Sequence, residues 1–447
     1  GLPELDGRVL SRAIAFKSAG EWDETCEIDI VAHEPMPDRV AFTAKLAAAW
    51  ARLREKPAAE RRVAIVLANY PGRDDRIGNG VGLDTPAGTV EALNAMREAG
   101  FDVGDAPRTG AALMAHLLAG PTPAGWQGRT IREALPLHAY RRFFDGLPET
   151  IRDAVTARWG APEEDPFFAV GAFALPVARF GKTLVGIQPA RGRAMDPKDD
   201  YHDPELYPPH HYIAFHAFLR EGFGADAVVH MGKHGNLEWL PGKAMALSQA
   251  CVPEALLGPM PHLYPFIVND PGEGTQAKRR TAAVIVSHLT PPLTRAETYG
   301  PLKDLEALVD EYYEAAGSDA RRTARLERQI LDLVRDSGIG KDAGIAEGAD
   351  EAEALQTIDA WLCDLKELQI RDGLHVFGKA PEGALLTSLT LALARLPRGL
   401  EPGEASLLRA LAADVLVAPP EVPVMPSSPC RDLLPVGEKE DMSASPH

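Results

Sequence analysis

The sequence predicts an α/β protein, with mainly parallel sheets flanked by helices and a helical region after them. Three observations carry this. Short continuous apolar runs, such as Val63–Leu67 and the Ala227-Val228-Val229 run before His230, read as strands buried on both faces, as strands of parallel sheets do. Glycine-rich turns and segments of helical spacing follow such runs, so strand and helix alternate. From Pro301 onward the apolar residues keep helical spacing only.

Residues 1–58 form a lead-in. Within it, Val40, Ala44, Ala47 and Ala51 make one stripe of a helix predicted over 39–54, which Pro57 ends. Val63–Leu67 is a buried strand. The turn over 69–85 leads into a helix with Thr85 as N-cap and Pro86 at its first position. Val90, Leu93 and Met96 give it an inward face, and Gly100 stops it. Further strands are expected at 184–187, leading into the Arg191 loop, and at 227–230 and 266–268, with a helix over 210–220. The segment 276–289 carries conflicting signals. Val284-Ile285-Val286 favours strand, whereas its length and start signals favour helix, and we read it as helix. The organisation is thus a lead-in (1–58), an α/β region (59–295), a helical region (296–415) and a disordered tail (416–447) rich in proline and serine. The helical region rests on Leu302, Leu305, Leu308 and Tyr312, on Leu326, Ile330 and Leu333, and on Leu355, Ile358, Leu362 and Leu365, with closure near Gly373. No internal repeat is visible.

At 447 residues the chain has room for about three domains. A net charge of −17 argues against nucleic acid as the main partner, because phosphate binding needs a basic surface. The same charge draws divalent cations weakly. The four cysteines form no C-x-x-C pair, a pattern of reducing compartments. No signal peptide and no long apolar run is visible, so a cytoplasmic protein is expected.

The residues most suited to chemistry are His230, His234 and Glu238, which fall within nine positions at the end of a strand. Imidazole and carboxylate hold divalent metals and take protons. Gly232, Gly235, Pro241 and Gly242 make this a shaped loop, unlike a helical H-E-x-x-H protease site. Its plainer reading is a strand cap and a loop tie. Tyr201, His202 and Asp203 with His210 and His211 form a second polar cluster, which is otherwise capping and solvated. A third runs from Asn269 to Arg280. There a glycine-rich turn containing Glu273 precedes a helix carrying Lys278, Arg279 and Arg280, a ready anion site or else a solvated basic face. Arg191 and Arg193 are similar. Gly78-Asn79-Gly80-Val81-Gly82 lacks the dinucleotide spacing, and the chain has no phosphate-binding P-loop. The nearest, Gly181-Lys182-Thr183, has Pro176 where the first glycine belongs.

The string His230-Met231-Gly232-Lys233-His234-Gly235-Asn236-Leu237-Glu238-Trp239-Leu240-Pro241-Gly242-Lys243 resembles the signature of the large subunits of cobaltochelatase and magnesium chelatase. Asn69-Tyr70-Pro71-Gly72-Arg73 with residues 79–86, Tyr201-His202-Asp203-Pro204 with residues 208–212, and residues 264–280 resemble the same family, over about 60–380 in all. The wording of 232–237 is closer to the cobalt enzyme than to the magnesium one. Large subunits of that family are far longer, so the resemblance implies a central segment, inactive alone. It implies ATP-dependent insertion of Co²⁺ into hydrogenobyrinic acid a,c-diamide, on the way to cobalamin. Its alternatives are magnesium insertion into protoporphyrin IX and a macrocycle-binding module without chemistry. On the cobalt reading, His230, His234 and Glu238 handle metal and ring protons. Arg191, Lys278, Arg279 and Arg280 hold acidic side chains, and Trp239 packs on the ring. Tyr201, His202, His210, His211 and Glu273 border the macrocycle. ATP and its Mg²⁺ sit on ATPase partner subunits.

Overall fold

The computed structural model describes residues 12–69, 77–78, 83–192, 205–232, 235–265 and 271–286, scattered residues between 304 and 361 including 320–337 and 339–343, and 375–395. It divides into two compact units, Gly1–Pro381 and Glu382–His447.

The first unit opens with a two-stranded antiparallel ribbon, β1 (Ala15–Asp23) and β2 (Ile28–Pro35), and a helix α1 (Pro37–Glu55). The sequence pattern does not announce the ribbon, because every residue of β2 is exposed and no buried face marks it. The inward face of α1 also differs from the expected stripe. Val40, Ala44, Ala47 and Ala51 are exposed, and Phe42, Leu46, Ala49 and Leu53 face inward. In a helix this rich in alanine the larger apolar side chains, not the alanines, decide which face is buried.

Next come β3 (Val63–Leu67), α2 (Thr85–Glu98), α3 (Gly110–Leu118), β4 (Ala134–Pro136), α4 (Leu137–Asp145) and α5 (Glu149–Trp159). They are followed by β5 (Phe168–Ala169), β6 (Ala172–Ala174), β7 (Val177–Phe180), β8 (Thr183–Ile187), α6 (His210–Ala217) and β9 (Ala227–Met231). α7 (Val252–Leu257), β10 (His262–Pro265), α8 (Pro271–Thr281) and β11 (Val284–Val286) complete the α/β part. The N-cap of α2 is Asp84, one residue earlier than expected, and its carboxylate accepts from the Ala87 amide. The segment 276–289 splits: the helix ends at Thr281 and Val284-Ile285-Val286 is a strand, so the β-branched triplet prevails there over the helix signals. The expected strand at 266–268 lies outside the described residues, and β10 precedes it.

The main sheet has six strands in the order β11-β10-β9-β3-β8-β7, parallel except for the edge pair β7–β8. This is the parallel, helix-flanked architecture read from the sequence. A small antiparallel sheet, β4-β6-β5, lies beside it in sequence. Alternation along β3 divides the core. Ala64 and Val66 pack with α4, α5, α6 and α7, whereas Val63, Ile65 and Leu67 pack with α2 and α3. All five residues of β3 are buried, each worth about 1.5–3 kcal/mol for the larger side chains, which is why the strand reads as unbroken apolar sequence. The chain runs from β3 to β8 on one side, returns past β3 to β9, and continues outward to β10 and β11. The strand order therefore reverses between β3 and β9, and ligands of open α/β sheets gather at the carboxyl ends of such a pair.

Farther on, α9 (Ala320–Ser337) and α10 (Ile339–Asp342) pack Leu326, Ile330, Val334 and Ile339 with Leu305, Val309, Tyr312, Leu355 and Ile358. The second unit contains α11 (Gly383–Arg395). The closure expected near Gly373 and the tail from 416 lie outside the described residues. No helix among the described residues is long and apolar enough to cross a membrane.

Candidate functional site

His230 is the fourth residue of β9, paired with Val66 of β3, and its ring is 6% exposed. The chain then turns at Gly232 with φ of 104°. A Cβ there would lie 3.0 Å from Thr85 Oγ1 and 3.1 Å from the Ala68 Cβ, so only glycine lets this loop settle against the start of α2. Lys233 and His234 lie outside the described residues. After them Asn236 opens a single 3₁₀ turn, Leu237–Trp239, that carries Glu238.

Asn236 stitches the loops after β8 and β9 together. Its backbone N–H donates to Gln188 Oε1 at 3.2 Å and its Nδ2 to the Pro189 carbonyl at 2.9 Å, while Tyr212 of α6 donates to its Oδ1 at 2.7 Å. Asn236 is 2% exposed, so these bonds replace water rather than compete with it. Tyr212→Phe is expected to lower stability by about 1–2 kcal/mol, the cost of a buried acceptor without its donor, read as a shift in the urea midpoint. An unchanged midpoint would show the bond to be unimportant.

Glu238 is 2% exposed and is set close to His230 through one tyrosine. Tyr264 of β10 stacks on the His230 ring, with centroids 4.4 Å apart and planes at 33°. Its hydroxyl accepts from the Gly235 N–H at 2.8 Å and donates to Glu238 Oε1 at 3.4 Å. An imidazole and a carboxylate thus share one tyrosine as neighbour near the point where the strand order reverses. That pairing suits holding a cation and accepting a proton. Among the described residues no group of three or more His, Cys, Asp or Glu side chains is placed to hold a metal ion.

The other sequence candidates separate. Arg280 is 7% exposed, and its guanidinium donates to the carbonyls of Glu238 at 2.7 Å, Leu240 at 2.6 Å and Lys243 at 3.1 Å. Burial lowers its pKa, Cys251 and Glu238 oppose that shift, and Arg191 adds to it. Arg191, 2% exposed, donates to the Trp239 carbonyl at 3.4 Å. Both arginines brace the Glu238 loop. Trp239 is 40% exposed, and Lys278 and Arg279 are half-buried on α8.

His210 and His211 sit elsewhere. His210 bonds the Tyr140 hydroxyl at 2.5 Å and the Gly160 carbonyl at 3.0 Å, and burial lowers its pKa. His211 bonds Asp165 at 3.0 Å and lies 4.6 Å from the Phe167 ring. Burial alone would raise the Asp165 pKa, but the His211 contacts and two backbone N–H groups hold it below the usual carboxylate range. These rings tie α6 to α4, to the end of α5 and to Asp165, and the next residue of α6, Tyr212, bonds Asn236 of the Glu238 loop. Tyr201, His202 and Arg193 lie outside the described residues, as does the side chain of Glu273. The sequence gives no individual role to Tyr264, Asn236, Gln188 or Tyr212. The register of β10 beside β9 would have exposed Tyr264, but register needs the strand order first.

Residues 1–440 match the family model described as CobN/Magnesium Chelatase. The chain is 64% identical to the aerobic cobaltochelatase subunit CobN of Sinorhizobium sp over 436 residues, covering 97% of this chain and 34% of that relative. It is 53% identical to the same subunit of Pseudomonas aeruginosa, covering 93% and 33%. Identity to a magnesium-chelatase subunit of Rhodobacter capsulatus is 31%, covering 85% and 31%. Among solved structures, the catalytic subunit of cobaltochelatase from Mycobacterium tuberculosis aligns with a TM-score of 0.64 at 41% identity, covering 92% of this chain and 35% of that one. The chain spans about a third of the length of the curated relatives it matches.

Proposed function

Since the chain belongs to the CobN/Magnesium Chelatase family, we propose that it is the metal- and macrocycle-handling segment of a cobaltochelatase large subunit. The whole subunit, on this reading, inserts Co²⁺ into hydrogenobyrinic acid a,c-diamide, and ATP with its Mg²⁺ is hydrolysed on partner subunits. The gradient of identity carries the choice of metal: 64% and 53% to cobaltochelatase subunits against 31% to a magnesium-chelatase subunit. The absence of a P-loop from the sequence supports placing ATP outside this segment.

Insertion needs water stripped from the ion, two ring N–H protons removed and the macrocycle bent. His230, as a neutral imidazole, holds the incoming ion, and His234 from the same loop is assigned to join it. Glu238 takes a ring proton in a site that excludes water, where a carboxylate interacts more strongly than in solvent. Trp239, exposed at 40%, offers an apolar face to the ring. Lys278 and Arg279 are the cations assigned to the carboxylate arms. Arg280 and Arg191 act indirectly, by fixing the loop that bears Glu238. His210 leaves the proposed site, because both its ring nitrogens are committed, to Tyr140 and Gly160, whereas His211 bonds Asp165 through Nδ1 alone and is kept as a residue bordering the macrocycle.

Fluorescence-quenching titrations of the full-length subunit test the reading. Hydrogenobyrinic acid a,c-diamide is expected to bind at least about tenfold more tightly than protoporphyrin IX, a difference of about 1.4 kcal/mol. A ranking with the porphyrin first would move the assignment to magnesium insertion.

A further inference from the structure

We propose that Tyr264 is a positioning residue for metal insertion, which locks the His230 imidazole and the Glu238 carboxylate into one unit. The inference rests on the reading of those two groups given above. The sheet itself brings the tyrosine there. β10 runs parallel to β9 with Leu263 opposite Val229, so the next residue on each strand, Tyr264 and His230, stand side by side. Their rings lie 4.4 Å apart with planes at 33°, and Tyr264 is only 1% exposed, so one face of the imidazole rests on a buried ring.

The hydroxyl does two further things. It accepts from the Gly235 N–H at 2.8 Å, a good bond to a buried amide, and it aims its own proton at Glu238 Oε1 at 3.4 Å. The second contact is long for O–H···O, so the ring on His230 and the Gly235 bond hold the tyrosine and the carboxylate is its weaker neighbour. A hydroxyl can both accept and donate through a single oxygen. Gly235 stands beside both the carboxylate and the hydroxyl. A Cβ on Gly235 would lie 2.5 and 2.7 Å from the two Glu238 oxygens and 2.8 Å from the tyrosine oxygen. The base therefore has one narrow seat, bounded by a glycine and a hydroxyl. A displacement of about 1 Å at a reacting group costs on the order of a hundredfold in rate, so such a seat matters to the chemistry.

The test uses the full-length subunit assembled with its ATPase partners, with Co²⁺ and hydrogenobyrinic acid a,c-diamide as the probes. Tyr264→Phe keeps the ring on His230 and removes only the hydroxyl. It is expected to lower kcat about tenfold with KM for the macrocycle unchanged, whereas Glu238→Gln is expected to lower kcat at least about a hundredfold. The double variant should be no slower than Glu238→Gln alone, because the tyrosine acts through the carboxylate. Gly235→Ala, which crowds the carboxylate and the tyrosine oxygen together, should reproduce the kcat loss at unchanged KM. It decides the matter if Tyr264→Phe does not fold. A wild-type kcat in Tyr264→Phe and Gly235→Ala, a change confined to KM, or losses that multiply in the double variant would overturn the positioning role. Full activity of Glu238→Gln would instead remove the reading of the site, and the inference with it.

Discussion

Replacing Arg280 with alanine is expected to destabilise the chain by about 3–5 kcal/mol, because three buried hydrogen bonds from a charged donor, at about 1.5–3 kcal/mol each, outweigh the relief of no longer burying the charge. The guanidinium is 7% exposed and bonds three carbonyls, at Glu238, Leu240 and Lys243, all on the loop that carries the candidate base. Alanine would leave three buried acceptors without donors and a cavity where the side chain lay. Arg280→Lys should recover only part of the loss, because one ammonium cannot reproduce a planar fork across three acceptors. Lys278→Ala and Arg279→Ala, at half-buried positions on the same helix, should each cost less than about 1 kcal/mol. Urea unfolding followed by circular dichroism measures all four. A midpoint for Arg280→Ala within error of the parent chain would mean the loop holds itself, and that the arginine is available to a ligand after all.

The contrast between Arg280 and its two neighbours marks where sequence reading stops. Lys278, Arg279 and Arg280 look alike as a basic run, and an anion site is the natural reading. What distinguishes Arg280 is a set of backbone carbonyls, and carbonyls leave no trace in a sequence. Tyr264 escapes for a related reason. Its partners are a backbone amide, a carboxylate twenty-six positions earlier and a ring on the adjacent strand, and they meet only through the β9–β10 register. His230 and Glu238 are legible because their side-chain chemistry is local to one loop. His210 is equally visible but is used as a buried connector, and nothing in the chain order distinguishes the two uses.

The fold divides along the same line. β3, β8 and β9 are readable because a strand buried on both faces must be apolar throughout. The β1–β2 ribbon has no buried face to impose a pattern, and β4, β5 and β6, at two or three residues each, are too short to show one. The start of α2 falls one residue earlier than expected because Asp84, Thr85 and Pro86 are all good start signals, and the Asp84 bond to the Ala87 amide decides between them.

Acidification from pH 6.5 to 4 is expected to remove several kcal/mol of stability, much of it above pH 5, where most carboxylates are still ionised. The cause is a pair of histidines that the proposed chemistry does not use. His216 of α6 and His262 of β10 are 7% and 3% exposed. Burial, then Arg220 and His262, push the His216 pKa down to about 3. Burial pushes His262 down to about 4, opposed by its bond to Thr281 at 3.1 Å. An imidazole in the unfolded chain titrates near 6.5. Above that pH both rings are neutral in both states, and the full stability is present. Below it the unfolded chain takes up protons that the folded chain refuses, so stability falls with pH until the folded rings also titrate. At about 1.4 kcal/mol per unit, His262 alone accounts for roughly 3 kcal/mol over this window. His210, lowered by burial, acts in the same direction. Urea midpoints at pH 7.5, 6 and 5 should therefore decline steadily, and His262→Gln should flatten the decline, because glutamine can still bond Thr281 but cannot charge. A midpoint unchanged between pH 7.5 and 5 would mean that the rings protonate in place, with Arg220 and the helix ends shifting to admit the charge.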